Sequence, residues 1–201
     1  MTQRFLYSFA TDERAAGAAE FALVLPLALA LLFGIIDVGR YAWQLNEYEK
    51  ATQMGVRFAV VTDPVTSILT DDTLTYVGDT SCGDALRPGD RICAAAFPAI
   101  TCTTGGCSRG TLDNTAFANV VARIQQFQPR IAPSQVAIEY TASGIGFAGD
   151  PNKPEVAPVV TIRINNAAYN PITLSLFGGQ VPLPDFSYSL TLEDAEGTVS
   201  G

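Results

Sequence analysis

The chain has 201 residues, with 20 Asp and Glu against 12 Lys and Arg and a formal net charge of −8. An acidic chain repels nucleic acid and anionic lipid headgroups, so we do not expect nucleic acid among its partners. The absence of histidine from the sequence excludes Ser-His-Asp and Cys-His catalysis and every zinc site that needs an imidazole ligand.

The first predicted element is a membrane-spanning helix over residues 15–36, which follows a short cytoplasmic leader, residues 1–14. Residues 21–36 carry no charge, and Glu20 is the only ionisable side chain of the predicted span. About 20 apolar residues cross the hydrocarbon core at a rise of about 1.5 Å per residue. A cleaved signal peptide would have a shorter apolar core and a small-x-small cleavage site. A retained membrane helix is therefore favoured over a removed signal peptide and over a buried soluble helix.

The same helix is predicted to continue into water over residues 37–62. Apolar and small side chains recur there at steps of three and four, and the first clear stop is Asp63-Pro64. A helix from about residue 16 to 61 would be roughly 70 Å long, half membrane span and half domain spine. The predicted buried stripe consists of Tyr41, Leu45, Tyr48, Thr52, Gly55 and Ala59, widened by Met54, Phe58 and Val61.

Residues 63–201 are predicted to form a periplasmic domain of the α+β class. One helix is predicted over 113–127, with Asp113 as its N-cap and Pro129 beyond its end. Three later segments alternate apolar and polar side chains and are joined without long helices, which indicates an antiparallel sheet covered by the helices. They are residues 135–141, 159–165 and 186–193; the last should turn Phe186, Tyr188, Leu190 and Leu192 inward, and a loop with one short apolar turn precedes it.

Four cysteines lie in residues 63–110, a Gly- and Pro-punctuated stretch that is predicted to be an irregular insertion. Structural zinc sites usually take ligands in C-x2-C pairs, and neither pair here has that spacing. An even number of cysteines on one side of a span favours disulfides in an oxidising compartment, which would place residues 37–201 outside the cytoplasm. Three connectivities exist, and the ease of closing short loops favours two of the candidate bonds. These are Cys82–Cys93 and Cys102–Cys107.

Three stretches of the sequence resemble the TadE-like family: "AAEFALVLPLALALLFGIIDVGR", "ATQMGVRFAVV" and "AAYNPITLSLFGG…DFSYSLTLEDAEG". The specific part covers about residues 14–61, and residues 63–110 have no counterpart. This family comprises minor pseudopilins of the tight-adherence (Tad) pilus system, which serves adhesion, biofilm formation and secretion. The resemblance implies a type IV pilin-like fold, a single-pass inner-membrane protein and no cofactor or catalytic activity. Its partners would be other pilin-like subunits and Tad assembly proteins.

The resemblance also assigns roles to two residues of the span. Glu20 matches the glutamate that pairs with a free N-terminal amine when prepilin-like proteins enter a filament, and so registers one helix against another. A carboxylate at the edge of hydrocarbon costs several kcal/mol unless it is hydrated or paired. The alternative is that Glu20 lies hydrated and idle at headgroup level. Pro26 matches the family's proline and is expected to kink the helix, because it removes one backbone hydrogen bond; a packing role alone is an equal alternative.

The sequence departs from the prepilin-like pattern at the place where a prepilin peptidase would cut. Such a peptidase prefers glycine immediately before the cut and glutamate five residues after it. The matching bond is Ala15–Ala16, where alanine replaces that glycine, while Gly17 lies only three residues before Glu20. Cleavage at Ala15–Ala16 and retention of the leader are equal expectations, and cleavage between Gly17 and Ala18 ranks third.

Two other classes of function remain open from the sequence. One is a periplasmic adhesin or structural domain on a generic anchor, which would tolerate any apolar replacement in its span. The other is an anchored periplasmic hydrolase that uses the acidic cluster in "TDDTLTYVGDTSCGD". Its carboxylates could hold a metal or act as a pair, although no spacing matches a calcium loop and such runs are usually solvated loops. The cluster consists of Asp71, Asp72, Asp79 and Asp84.

Overall fold

The computed structural model describes residues 13–71, 73–151, 155–175 and 178–192. It confirms an α+β fold of the pilin-like kind, in which a long N-terminal helix precedes a small antiparallel-sheet domain. Residues 1–12 of the predicted leader lie outside the described residues. The chain divides into two compact units, Met1–Gln44 with Tyr169–Val181, and Leu45–Ala168 with Pro182–Gly201.

Helix α1 spans Glu13–Ala59, close to the expected range of about 16 to 61. Its part in the first unit exposes large apolar side chains along residues 21–36, among them Leu23 and Leu27. An exposed apolar patch of that size is rare on a soluble monomer and marks a membrane or protein contact. By length and composition, this is the one helix of the described chain that could cross a membrane.

In the second unit, the end of α1 forms the spine of the core. Tyr48, Thr52, Gly55 and Ala59 are buried there, as the stripe predicts. Gly55 lets α1 pack closely against the core, because a Cβ atom at this position would lie 2.5 Å from Ile124 Cγ1 and 3.2 Å from Ile162 Cδ1. The ring of Tyr48 stacks on Phe186 with a centroid distance of 5.2 Å.

Helix α2, Asn114–Gln125, lies where the sequence predicts it. Asp113 is its N-cap: Oδ1 accepts hydrogen bonds from the backbone N–H groups of Thr115 (2.8 Å) and Ala116 (3.0 Å). These donors would otherwise be unsatisfied at the helix end. Beyond the helix, the buried Gln128 donates from Nε2 to Glu47 Oε2 at 3.0 Å, which ties the loop to α1.

The main sheet has five antiparallel strands in the order β2-β1-β3-β4-β7. The three strands expected from alternation are confirmed, and their central register aligns Ile138 with Ile162 and Ile162 with Tyr188. A separate two-stranded sheet pairs β5 with β6. The strands are β1 Ile100–Thr103, β2 Gly106–Cys107, β3 Val136–Thr141, β4 Val159–Ile164, β5 Ala168–Tyr169, β6 Val181–Pro182 and β7 Phe186–Thr191, and a one-turn helix, α3, spans Ile172–Ser175.

The expected inward face of β7 is only partly correct. Phe186 and Leu192 are buried and Leu190 is half-buried, but Tyr188 is 39% exposed. Among the described residues, β7 is an edge strand that pairs with β4 alone. Tyr188 lines an open groove with Glu49 and Gln53 of α1. A side chain on an edge strand has neighbouring strands on one side only. The alternating sequence pattern therefore predicts more burial for such a side chain than the structure shows.

Residues 63–110 are not wholly irregular, which corrects the expectation for this segment. Their last part forms β1 and β2, so the segment completes one edge of the main sheet. The structure joins Cys102 to Cys107 across this hairpin and Cys82 to Cys93 within the preceding loop, which is the pairing that short loop closure favours. A strand of four residues that contains two threonines and a cysteine gives too short an alternation to be recognised.

Candidate functional site

The candidate site is the apolar part of α1 with Glu20 at its start, together with a polar cluster at its end. We name this cluster the exit cluster; it consists of Asp37, Arg40, Tyr169, Ile172 and Thr173, all within the first unit. In an apolar helix, the few polar side chains are the candidates for specific contacts, because only polar groups can form directional interactions in lipid.

Glu20 lies exposed on α1, one residue before the charge-free run. In the part of the chain that the structure describes, no hydrogen bond or ion pair engages its carboxylate. An exposed carboxylate at this position can accept hydrogen bonds from water or from a group on another molecule. That capacity is required for an intermolecular pair with an amine.

Ala15, Ala16 and Gly17 lie in the first turns of α1, so the two candidate cleavage bonds are part of the helix. The Cα of Gly17 faces open space, with nothing within 4 Å of the place a Cβ atom would take. Cleavage at either bond stays a prediction.

Pro26 lies inside α1, and helical geometry continues on both sides of it. A proline at an interior position cannot donate to the carbonyl one turn earlier, which leaves that carbonyl oxygen without its helical partner. The expected kink at Pro26 and its role in helix packing stay predictions.

Asp37 is the centre of the exit cluster and is only 6% exposed. Its Oδ1 accepts from the backbone N–H of Ile172 at 2.7 Å, and its Oδ2 accepts from the N–H and Oγ1 of Thr173 at 2.9 and 2.7 Å. The Tyr169 hydroxyl lies 3.0 Å from the Asp37 carbonyl oxygen and 3.3 Å from Oδ1. A buried carboxylate is tolerated when its oxygens are satisfied in this way.

The hydrogen bonds keep Asp37 ionised. Burial acts to raise the pKa of its carboxyl, but the hydrogen bonds from Thr173, Ile172 and Tyr169 outweigh burial and lower the pKa from 3.8 to about 2. Hydrogen bonds donated to the charged form of an acid favour that form. Burial and the adjacent carboxylate of Asp37 raise the pKa of Tyr169, so its hydroxyl stays a donor.

Arginine and aromatic groups surround this carboxylate. Arg40 Nη1 lies 3.9 Å from Asp37 Oδ1, and its guanidinium carbon lies 5.9 Å from the centroid of the Tyr169 ring. The edge of Tyr41 meets Tyr169 with a centroid distance of 5.6 Å. The exit cluster thus combines a charge pair with a cation–π contact and an aromatic pair.

Asp37 explains how a helix as short as α3 can form. An isolated single helical turn is unstable, because the conformational entropy lost on forming it exceeds the stabilisation from its one hydrogen bond. Here Asp37 supplies the N-cap from another element, and Gly178, with a φ of 73°, closes the other end. The N–H groups of Gly178 and Gly179 donate to Ser175 O at 3.1 Å and Leu174 O at 2.9 Å, so the last two carbonyl groups of α3 have partners.

Sequence reasoning assigned no role to Asp37. One signal was present, because Asp37 is the first ionisable residue after sixteen uncharged ones, in "GIIDVGR". A carboxylate at the end of a span needs water or partners. Its partners lie more than 130 positions away in the chain, and no spacing in the sequence points to them.

The acidic cluster proposed for a hydrolase makes local turns where it is described. Asp71 Oδ1 accepts from the N–H of Thr73 at 2.9 Å, and Asp79 Oδ1 accepts from the N–H of Ser81 at 2.7 Å. Both are Asx turns, in which aspartate bonds the backbone two residues on. Asp84 is exposed, and Asp72 lies outside the described residues. Among the described residues, no group of three or more His, Cys, Asp or Glu side chains could hold a metal ion.

Comparison with known families places the similarity on α1. Residues 15–57 match the family model described as TadE-like protein, which confirms the resemblance seen in the sequence. The matched range contains Glu20, Pro26 and Asp37. The match covers the apolar part of α1 and its continuation and does not extend into the sheet domain. No significant match was found among curated proteins or among solved structures.

Proposed function

We propose that this TadE-like chain is a pseudopilin-like, non-catalytic component of the bacterial inner membrane that acts in the assembly of a Tad-type pilus. One observation carries the proposal: the family match over residues 15–57 coincides with a helix whose exposed apolar run begins directly after the carboxylate of Glu20. A generic anchor requires the apolar run, but its function does not require a carboxylate at position 20.

The topology proposed is a single pass with the N-terminus in the cytoplasm and the domain in the periplasm. One helix of the described chain is long and apolar enough to span. Two disulfides join all four cysteines, and disulfides persist in oxidising compartments such as the periplasm. Both observations support this orientation, which long C-terminal domains adopt largely regardless of small charge biases.

Glu20 is the residue that we expect to register the helix against a neighbour. Within lipid, an ion pair between its carboxylate and the N-terminal amine of another pilin-like subunit would satisfy both groups. Prepilin peptidase becomes a partner if the leader is removed at Ala15–Ala16 or after Gly17, since the cut would create such an amine. Tad assembly proteins are the other partners that this function needs.

The test is Glu20→Ala in the native host, with surface pili counted by electron microscopy and membrane levels measured by immunoblot. Insertion should be unchanged or easier, because a charge in the span opposes insertion, whereas pilus number should fall. Glu20→Gln keeps a hydrogen-bonding group without the charge and so separates pairing with an amine from simple polarity. Leu27→Ala, at an exposed apolar position of the same helix, is the matched control.

Normal pili with Glu20→Ala at a normal protein level would refute the role of Glu20. The generic anchor would then be the better account of the span. A loss of pili with Leu27→Ala equal to that with Glu20→Ala would show general damage to the helix instead of a specific contact at the carboxylate.

A further inference from the structure

Next to the exit cluster, α3 and its flanking residues form an apolar surface that the spanning helix does not account for. Residues 164–184 contain no Asp, Glu, Lys or Arg. Within them α3 exposes Ile172 and Leu174, at 40% and 45% of their surfaces. Leu174 also packs over the backbone of Gly179, where a Cβ atom would lie 2.7 Å from its Cδ2 atom, so its side chain has a defined place.

The hydrogen bonds of Asp37 fix the depth of this surface relative to the span. Asp37 directly follows Ile35 and Ile36, which are exposed on α1 and end the charge-free run. The first N–H groups of α3 donate to the Asp37 carboxylate at 2.7 and 2.9 Å. The exposed residues of α3 therefore lie level with the end of the charge-free run of α1.

The next residues of α1 have the composition of a membrane interface. Trp43, the one tryptophan of the chain, is 69% exposed and lies about 9 Å beyond Asp37 at 1.5 Å per residue. Tyr41 is half-buried between the two. Tryptophan and tyrosine are enriched at the headgroup level of bilayers, where an amphipathic ring suits a half-apolar surrounding.

We infer that α3 lies in the headgroup region of the lipid bilayer on the side of the folded domain, as a second membrane contact of this chain. The occupant of the apolar surface is lipid, because this uncharged segment is hydrogen-bonded to Asp37 at the point where the exposed charge-free run of α1 ends. Backbone groups near hydrocarbon must be satisfied internally. The N–H groups of Ile172 and Thr173 and the carbonyl groups of Leu174 and Ser175 have such partners. The chain is acidic, so the contact is apolar and needs no anionic lipid.

The inference rests on α1 crossing the membrane, as in the proposed function, but not on any role in a pilus. The full-length protein is reconstituted in phosphatidylcholine vesicles with Trp43→Phe as the background. Leu174→Trp then reports on α3, and Leu27→Trp reports on the middle of the span. Quenching is measured with lipids brominated near the headgroup, with lipids brominated deep in the acyl chain, and with iodide in the water.

For Leu174→Trp we expect a blue-shifted emission that shallow bromines quench more than deep ones and that iodide hardly reaches. Leu27→Trp should be quenched best by deep bromines. Quenching of Leu174→Trp by iodide with none by brominated lipid would overturn the inference while Leu27→Trp still reports the span. A blue-shifted emission that neither quencher reaches would also overturn it, because another protein surface would then cover α3.

Asp37→Ala in the Leu174→Trp protein tests the anchoring step. Without the carboxylate, the N–H groups of Ile172 and Thr173 lose their acceptor, and the preference for shallow bromines should be lost. Ile172→Trp serves as a second reporter if Leu174→Trp does not fold. Unchanged shallow quenching in the Asp37→Ala protein would overturn the role of Asp37 in setting the depth of α3.

Discussion

Two carboxylates on one helix, Glu20 and Asp37, lie in opposite surroundings. Glu20 is exposed at the start of the apolar run, whereas Asp37 is enclosed at its end by four hydrogen-bond donors. A buried carboxylate whose oxygens all accept hydrogen bonds holds parts of its own chain together. An exposed carboxylate in an apolar helix can bind a group on another molecule. Sequence alone could identify Glu20 because it stands isolated in an apolar run, but the partners of Asp37 come from a distant loop.

At Asp37 we predict a titration far below the usual range. The pKa is lowered from 3.8 to about 2 in the fold, so the stabilisation of α3 is complete above pH 3.8 and is lost as the pH falls through about 2. The backbone N–H chemical shift of Thr173 should follow that titration with a midpoint near 2. Asp37→Asn, which cannot ionise, is the control and should remove the transition; a midpoint near 3.8 in the unsubstituted protein would contradict the structure.

Tyr140 gives the corresponding prediction at alkaline pH. Its hydroxyl oxygen accepts from the N–H of Val65 at 3.0 Å, and burial raises its pKa from 10.0 to about 12 although that hydrogen bond lowers it. The fold thus favours the neutral phenol, so its stabilisation is complete below pH 10 and is lost as the pH rises to about 12. Denaturant unfolding should show the domain losing stability across that window.

Tyr140→Phe separates the hydrogen bond from the packing of the ring. It leaves the buried N–H of Val65 without its acceptor, which should lower the free energy of unfolding at neutral pH by about 1–3 kcal/mol. The substitution should also reduce the loss between pH 10 and 12. Equal stability of the two proteins at pH 7 would mean that water replaces the hydroxyl.

At the level of elements, the sequence predicted the helices and strands that have a long and regular pattern of apolar residues. The helix α2 and the strands β3, β4 and β7 lie where alternation and the Asp113 cap indicate. The hairpin of β1 and β2 escaped prediction because it takes its place in the sheet from pairing with β3, which is a tertiary contact. The one-turn helix α3 was expected only as an apolar turn, since its N-cap comes from α1.

Gly55 tests the packing of α1 against the core. Gly55→Ala would place a Cβ atom 2.5 Å from Ile124 Cγ1, and such overpacking typically costs about 1–3 kcal/mol. Alanine gains back at most about 1 kcal/mol of helix propensity. We expect a net loss in the free energy of unfolding of the detergent-solubilised protein. Gly39→Ala is the matched control on the same helix, because nothing lies within 4 Å of its Cβ position; a gain for both variants would contradict the tight contact.

The two disulfides should act on different parts of the second unit. Each closes a short loop and should contribute about 2–3 kcal/mol in the chain-entropy model. Cys102–Cys107 joins β1 to β2, so its loss should also loosen an edge of the sheet. Hydrogen exchange at Ile100 and Thr101 should speed up in Cys102→Ser/Cys107→Ser and stay unchanged in Cys82→Ser/Cys93→Ser. Equal exchange rates at Ile100 and Thr101 in the two variants would contradict a specific role of Cys102–Cys107 at this edge of the sheet.

For the molecule as a whole, the exposed apolar run of α1 is the feature that makes a membrane span possible. Sixteen consecutive residues without a charge form part of a helix whose large side chains are mostly exposed. Removing apolar surface from water is favourable by about 25 cal/mol per Å². This property was fully predictable from the sequence, because span length and hydropathy are local. The arrangement of residues 63–110 was not, because long-range pairing with β3 and the contacts of Glu155 with Thr75 and Tyr76 organise that segment.

We therefore predict that the protein stays in the membrane pellet after an alkaline carbonate wash. Such a wash releases proteins held by polar contacts, whereas a spanning helix is retained by the burial of its apolar surface. Leu27→Asp/Leu31→Asp supplies the control: each carboxylate near the centre of the span opposes insertion by about 2.5–3.5 kcal/mol, so this variant should move toward the soluble fraction. Recovery of the unsubstituted protein in the wash would remove the membrane span and, with it, the membrane contact inferred for α3.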